Sequence, residues 1–275
     1  MTREGWAFFA VSEEGAGAML PTFFIAHGSP TLALEDNAYT QFLHSLGQHL
    51  PRPRAIVLFS AHWLAATQQI SEVRRYETIH DFGGFPDALR EIRYPAPGDP
   101  QLAEEITDLL GQSGIPTHRE ARRGLDHGAW VVLRLLYPDA DIAVVSMSVN
   151  PRLTPEEQYR VGKALGVLRE EDVLLIGSGG TVHNLGMIEW DAQEVNEWAL
   201  AFDRWLGDQA VRWDMDALFR YEQAPHAALA VPHHGNEHFA PLFYAMGGAD
   251  DARKAVLLHR SYAYGSLSHS VWQFG

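Results

Sequence analysis

Five short runs in this chain are apolar at nearly every position: 21–26 (PTFFIA), 55–60 (AIVLFS), 141–149 (DIAVVSMSV), 173–177 (VLLIG) and 255–259 (AVLLH). A strand with one face in water alternates apolar and polar residues. Runs that lack the alternation belong to strands covered on both faces, as in parallel sheets with helices on either side. Amphipathic segments fall between the runs. After GDP at 98–100, Asp99 is placed to cap a helix and Pro100 to occupy its first turn, while Leu102, Ile106, Leu109 and Leu110 share one face before Gly111. Further helices are predicted over 37–50, 128–137, 154–169 (capped by Thr154), 192–210 and 237–246. No Pro/Gly/Ser-rich linker and no internal repeat divides the chain. The expected fold is therefore α/β: a single domain with a central, mostly parallel or mixed sheet flanked by helices. Residues 1–18 read as an N-terminal extension, with Met19 as an alternative start, and 19–275 as the domain. Residues 76–100, rich in Gly, Pro and aromatics, break the rhythm and read as a long surface excursion, a type of loop that is commonly functional.

Several of the runs end in histidine. His27 follows the first (AHGSP) and His62 the second (SAHW), and His183 lies just beyond the fourth (GSGGTVHNL). In open α/β sheets ligands bind outside the carboxyl ends of the strands. One such histidine is as easily a hydrogen-bonded residue at a strand end; three from five strands are hard to assign to packing. His127, in GLDHGAW, falls in the first turn of a helix that Asp126 can cap, where a structural role competes with an acid, base or ligand role. In PHHGNEHFAPLFYAMG (232–247), helical periodicity puts Phe239, Leu242, Phe243 and Met246 on the buried face. His238 then flanks that face and Glu237 points away, so His238 is the better candidate ligand. His233 and His234 are supporting candidates in the preceding loop. The other histidines read as structural, with His80 and His226 the first exceptions to look for, and Trp63 reads as a packing residue.

Composition narrows the chemistry. There is no cysteine, so any metal is held by His, carboxylate or water, and 14 histidines make that feasible. With 35 acidic residues against 21 basic and a net charge of −14, no global positive field exists to draw nucleic acid or anionic membrane. ARR at 121–123 is the nearest approach to a basic patch. No apolar run reaches transmembrane length and no signal-peptide plan is present, so a cytoplasmic location is the default expectation. The GSGG stretch matches neither phosphate-binding glycine pattern and reads as a tight turn that brings backbone close to the site. No G-x-S-x-G elbow, zincin motif or prominent carboxylate pair is found.

Taken together, AHGSP, SAHW, GLDHGAW, GSGGTVHNL and NEHFAPLFYAMG, in this order and with these separations, resemble the class III extradiol ring-cleavage dioxygenases, and among them the 4,5-DOPA dioxygenase extradiol-like subgroup. The resemblance runs from about residue 19 to the C-terminal YGSLSHSVWQFG. It implies a metal site at the strand carboxyl ends that opens a catechol, DOPA-like, with O₂ to a semialdehyde. It implies His27, His62 and His238 as metal ligands. His183 is implied as an active-site base and fourth-ligand candidate, and His127 as a second catalytic residue. It further implies one divalent metal, Fe(II) for activity or Zn(II) as bound, and gives the 76–100 loop as a candidate wall for the aromatic substrate. The wider superfamily uses two His and a carboxylate; three His here raise the site's positive charge by one and suit zinc as well as iron. Two rival readings follow from the same residues: a zinc-dependent hydrolase, and a non-enzymatic metal-binding protein of the same fold.

Overall fold

The computed structural model describes residues 19–233 and 236–275. The expected extension over 1–18, and His234, lie outside the described residues. An eight-stranded mixed sheet forms the centre, in the order β4-β3-β5-β2-β6-β1-β8-β7. The strands are β1 (Thr22–Ala26), β2 (Ala55–Leu64), β3 (Gln68–Ser71), β4 (Thr117–Glu120), β5 (Ala143–Val149), β6 (Val173–Gly179), β7 (Ala255–Ala263) and β8 (Leu267–Phe274). The inner four, β5, β2, β6 and β1, are parallel neighbours, and β8 and β3 join them antiparallel on the two sides.

The runs that sequence marked as covered on both faces are so. Along β2, Ile56 and Leu58 pack with the helices Ala38–His49 and His127–Leu136 on one face, and Ala55, Val57 and Phe59 with Pro100–Gln112, Pro155–Ala164 and Ala240–Gly247 on the other. This period-two division is what a pleated strand between two helical layers produces. The expected caps hold: Asp99 accepts from the N–H of Gln101 and Leu102, Asp126 from Ala129, and Thr154 pairs with Glu157 in a capping box.

Several boundaries differ from expectation. The helix predicted over 154–169 ends at Ala164 and gives way to a 3-10 segment, Gly166–Glu171; that over 192–210 begins only at Glu197; that over 237–246 begins at Ala240, after the 3-10 turn Asn236–His238. Three strands escaped the apolar-run criterion. β3 (QQIS) and β4 (THRE) are four-residue polar segments at the sheet's margin, and β8 (LSHSVWQF) mixes Ser, His and Gln into a strand that is buried throughout. The 76–100 excursion is more than a surface loop. Tyr76 and Tyr94 are core residues, and the Tyr94 hydroxyl donates to the Tyr137 carbonyl at 2.9 Å. Among the described residues, no helix is long and apolar enough to cross a membrane.

Candidate active site

β1 runs directly into His27, which is buried and whose N–H bonds to the Gly179 carbonyl at 3.1 Å. His62 stands near the end of β2, one strand removed across β6, and His238 closes the 3-10 turn that leads into Ala240–Gly247. Their Nε2 edges meet: His62 Nε2 is 3.0 Å from that of His27 and 3.3 Å from that of His238. Each offers one ligand atom within 4.8 Å of the others.

The neighbours of these rings fix their protons. The Ser178 hydroxyl donates to the Gly128 carbonyl, so its oxygen accepts from His27 Nδ1–H at 3.1 Å. His238 Nδ1–H donates to Glu237 Oε1 at 3.1 Å. Both Nε2 atoms therefore present lone pairs to His62, whose own Nδ1 faces Asp81 Oδ2 at 3.8 Å. A proton on His62 satisfies one neighbour at a time; a divalent cation satisfies all three. Nitrogens bound about 2.0–2.1 Å from one ion stand roughly 2.8–3.4 Å apart for octahedral to tetrahedral angles, and the two separations from His62 fall in that span. Burial, reinforced by neighbouring histidines, lowers His62 and His238 to about 3 and His27 well below its usual value, leaving neutral imidazoles, the form that ligates.

Gly177 and Gly179 of GSGG belong to β6, with Gly180 just past its end, rather than to a tight turn, and their role is close approach. A Cβ on Gly179 would lie 2.1 Å from the His238 carbonyl oxygen, and one on Gly177 2.2 Å from that of Pro241. Their bareness lets the His238 segment lie on the strand, where the Gly180 N–H donates to the His238 carbonyl at 2.8 Å.

His127 occupies the first helical turn as expected, but its partner was not foreseen. Asp81, from the 76–100 excursion, accepts from both the ring Nδ1 and the backbone N–H of His127 at 3.0 Å. Burial raises the Asp81 carboxyl, yet the hydrogen bonds and charge of His127 outweigh it and bring the group down to about 2. Ser60 and Arg123 complete the support. Ser60 donates to Asp126 at 2.6 Å; Arg123 donates to Asp126 and to the His62 carbonyl, both at 3.1 Å, and lies over the Trp63 ring. Arg123 of the ARR run is thus consumed in holding the site together.

His183 stacks flat on His238, with centroids 3.7 Å apart and planes 5° from parallel. It stands outside the converging set of three. Burial and His238 lower it to about 3. It borders a cavity of about 570 Å³ into which His27, His62, His127 and His238 also open, walled on one side by Phe82 and Phe85 of the excursion. Glu237, read from periodicity as turned away, supports His238 from behind, because the residue precedes the α-helix rather than belonging to it. Neither expected exception enters the cavity. His80 bonds to the Ile92 carbonyl, and His226 precedes the short helix Ala227–Ala230 with a left-handed backbone. His269, read as structural, does border the cavity, stacked on Tyr39 at 4.7 Å. His233 is exposed.

A family model, "Catalytic LigB subunit of aromatic ring-opening dioxygenase", matches residues 21–275. The 4,5-DOPA dioxygenase extradiol of Beta vulgaris is 41% identical over 258 residues, covering 92% of this chain and 96% of its own length. The protein of that description from Escherichia coli (strain K12) is 37% identical over 261 residues, covering 93% and 95%. The crystal structure of an uncharacterized protein from Escherichia coli K12 aligns with a TM-score of 0.80 at 34% identity, over 94% of this chain and 100% of its own.

Proposed function

The chain belongs to the family of the catalytic LigB subunit of aromatic ring-opening dioxygenases, and from that premise we propose that it opens a catechol, the ring carried by the DOPA of its relatives' names, with His27, His62 and His238 holding the metal, His183 as base and His127 as acid. The observation that supports this most directly is the meeting of three Nε2 lone pairs on one wall of a cavity that also exposes two further histidines.

When bound, Fe(II) supplies the redox link between an electron-rich ring and O₂; Zn(II) suits the same three nitrogens but lacks that chemistry. The chain's own part is proton handling and orientation. His183, neutral because buried, accepts a phenolic proton, and the catecholate formed beside it offsets the cost of the buried imidazolium. One Asp81 oxygen accepts from both the backbone N–H and the ring Nδ1–H of His127, which holds the proton on Nδ1 and leaves Nε2 to exchange a proton over the cavity. Phe82 and Phe85 give the aromatic ring an apolar wall.

The test is anaerobic reconstitution of metal-free protein with Fe(II) or Zn(II), followed by catechol and O₂. O₂ uptake and a yellow ring-opened product with Fe(II) alone are expected. Ester or amide cleavage with Zn(II) and no O₂ uptake would move the function to hydrolysis on the same site.

A further inference from the structure

The cavity is larger than a bare catechol ring needs and lies within the roughly 300–1,000 Å³ typical of drug-sized ligands. Among the described residues bordering it there is no Asp, Glu, Lys or Arg. Away from the histidines, Phe82, Phe85, Leu185, Ile188, Trp190 and Tyr264 supply most of its apolar wall, and Ser29, Thr31 and Ser268 are its neutral polar residues. Two of these are conspicuous on the protein surface, Trp190 at 70% exposed and Leu185 at 62%. Trp190 meets Tyr264 edge to face at 4.8 Å, forming an aromatic corner at the cavity.

The ionic groups bonded to the lining histidines are already engaged, Glu237 with His238 among them. Arg123 is bound to Asp126 and to the His62 carbonyl, and Asp81 to His127. A substrate carboxylate or ammonium inside this wall would lose water without gaining an ion-pair partner, which is costly. An apolar substituent would instead cover side chains that now face solvent.

Resting on the ring-opening reading above, we propose that the preferred substrate is a catechol bearing an uncharged apolar or aryl substituent, which the Trp190–Tyr264 corner receives, and that zwitterionic DOPA is a poorer substrate. The charge-free wall discriminates by withholding a partner from the charged side chain.

The test compares catechol, 4-methylcatechol, 4-phenylcatechol, 3,4-dihydroxyphenylpropionate and DOPA on the Fe(II)-loaded protein. Calorimetric titration of the redox-inert Zn(II)-loaded protein gives affinity independently of turnover. The expected result is a kcat/KM for 4-phenylcatechol at least about tenfold above that for DOPA, carried mainly by KM, with the same order in affinity. Trp190→Ala should shrink the ratio of 4-phenylcatechol to 4-methylcatechol by roughly tenfold. DOPA or the propionate performing as well as 4-phenylcatechol would overturn the substrate preference while leaving ring opening in place. No O₂ uptake with any catechol would instead remove the ring-opening reading, and this inference with it.

Discussion

His27, His62 and His238 turn their Nε2 edges toward one another, whereas His269 stacks on the Tyr39 ring at 4.7 Å and His259 packs tilted against the same ring at 5.0 Å. Burial lowers the proton affinity of both groups, His269 to about 4 and His238 to about 3. A depressed basicity therefore does not distinguish a site from a packed aromatic stack. Direction does. In the first group two rings are anchored through Nδ1, to Ser178 and Glu237, and the third faces Asp81, so the free lone pairs point to a common centre. In the second, His259 Nε2 bonds locally to Ser261 and the rings contribute faces.

The largest expected effect separates the two groups outright. His62→Ala removes the nitrogen within reach of both others; bound metal should fall below stoichiometry by elemental analysis and O₂ uptake should drop to background. His259→Ala should keep full metal content. Equal metal loss in both variants would break the distinction.

Next comes the backbone that delivers His238. Gly179→Ala places a methyl group 2.1 Å from the His238 carbonyl oxygen, which forces the segment away from β6. Overpacking of this kind costs about 1–3 kcal/mol, visible as a lower urea midpoint, and should weaken metal binding because one ligand moves. An unaltered metal affinity would show that His238 is positioned by Glu237 alone.

Asp81→Asn keeps the shape of the His127 contact but removes its charge. Turnover should fall roughly 10²- to 10⁴-fold with metal retained, the range for a disturbed acid–base group. A loss under tenfold would take His127 out of the chemistry.

The order of these effects tracks what sequence could and could not disclose. The inner strands were legible because burial on both faces leaves no polar alternation, and the histidines because they sit at the carboxyl ends of those strands or beside them. Asp81 was not legible: it is 46 positions from His127, and only the excursion of the chain over the cavity brings them together. The one available hint was an acidic residue beside His80 in a loop too long to be a simple connection. Ser178 and Glu237 were hidden differently. Their residue types are common, and their roles depend on which nitrogen each histidine presents, a matter of side-chain rotation that spacing does not encode. β8 was missed because Ser268, His269 and Gln273 are polar yet buried between β1 and β7, and with it went the placement of His269 at the cavity.

The smallest effect is a matter of protons. Below about 6.5 the unfolded chain protonates its histidines, while His62, His183 and His238 stay neutral in the fold down to about 3, and His269 to about 4. The unfolded state then binds more protons, so the metal-free protein should lose stability as pH falls from 6.5 toward 3, by up to about 1.4 kcal/mol per pH unit for each such histidine, and be insensitive through these groups above 6.5. His269→Phe should remove one proton from that slope between 6.5 and 4 without changing metal stoichiometry. Added Zn(II) should raise the stability but leave the slope between about 6.5 and 3 unchanged, because the ligating nitrogens are already free of protons in the metal-free fold, and it should do so equally in the wild type and in His269→Phe. Chemical denaturation across pH, with and without metal, measures all four slopes. If zinc steepened the wild type alone, His269 would be coupled to the ion and the two groups of histidines would be one.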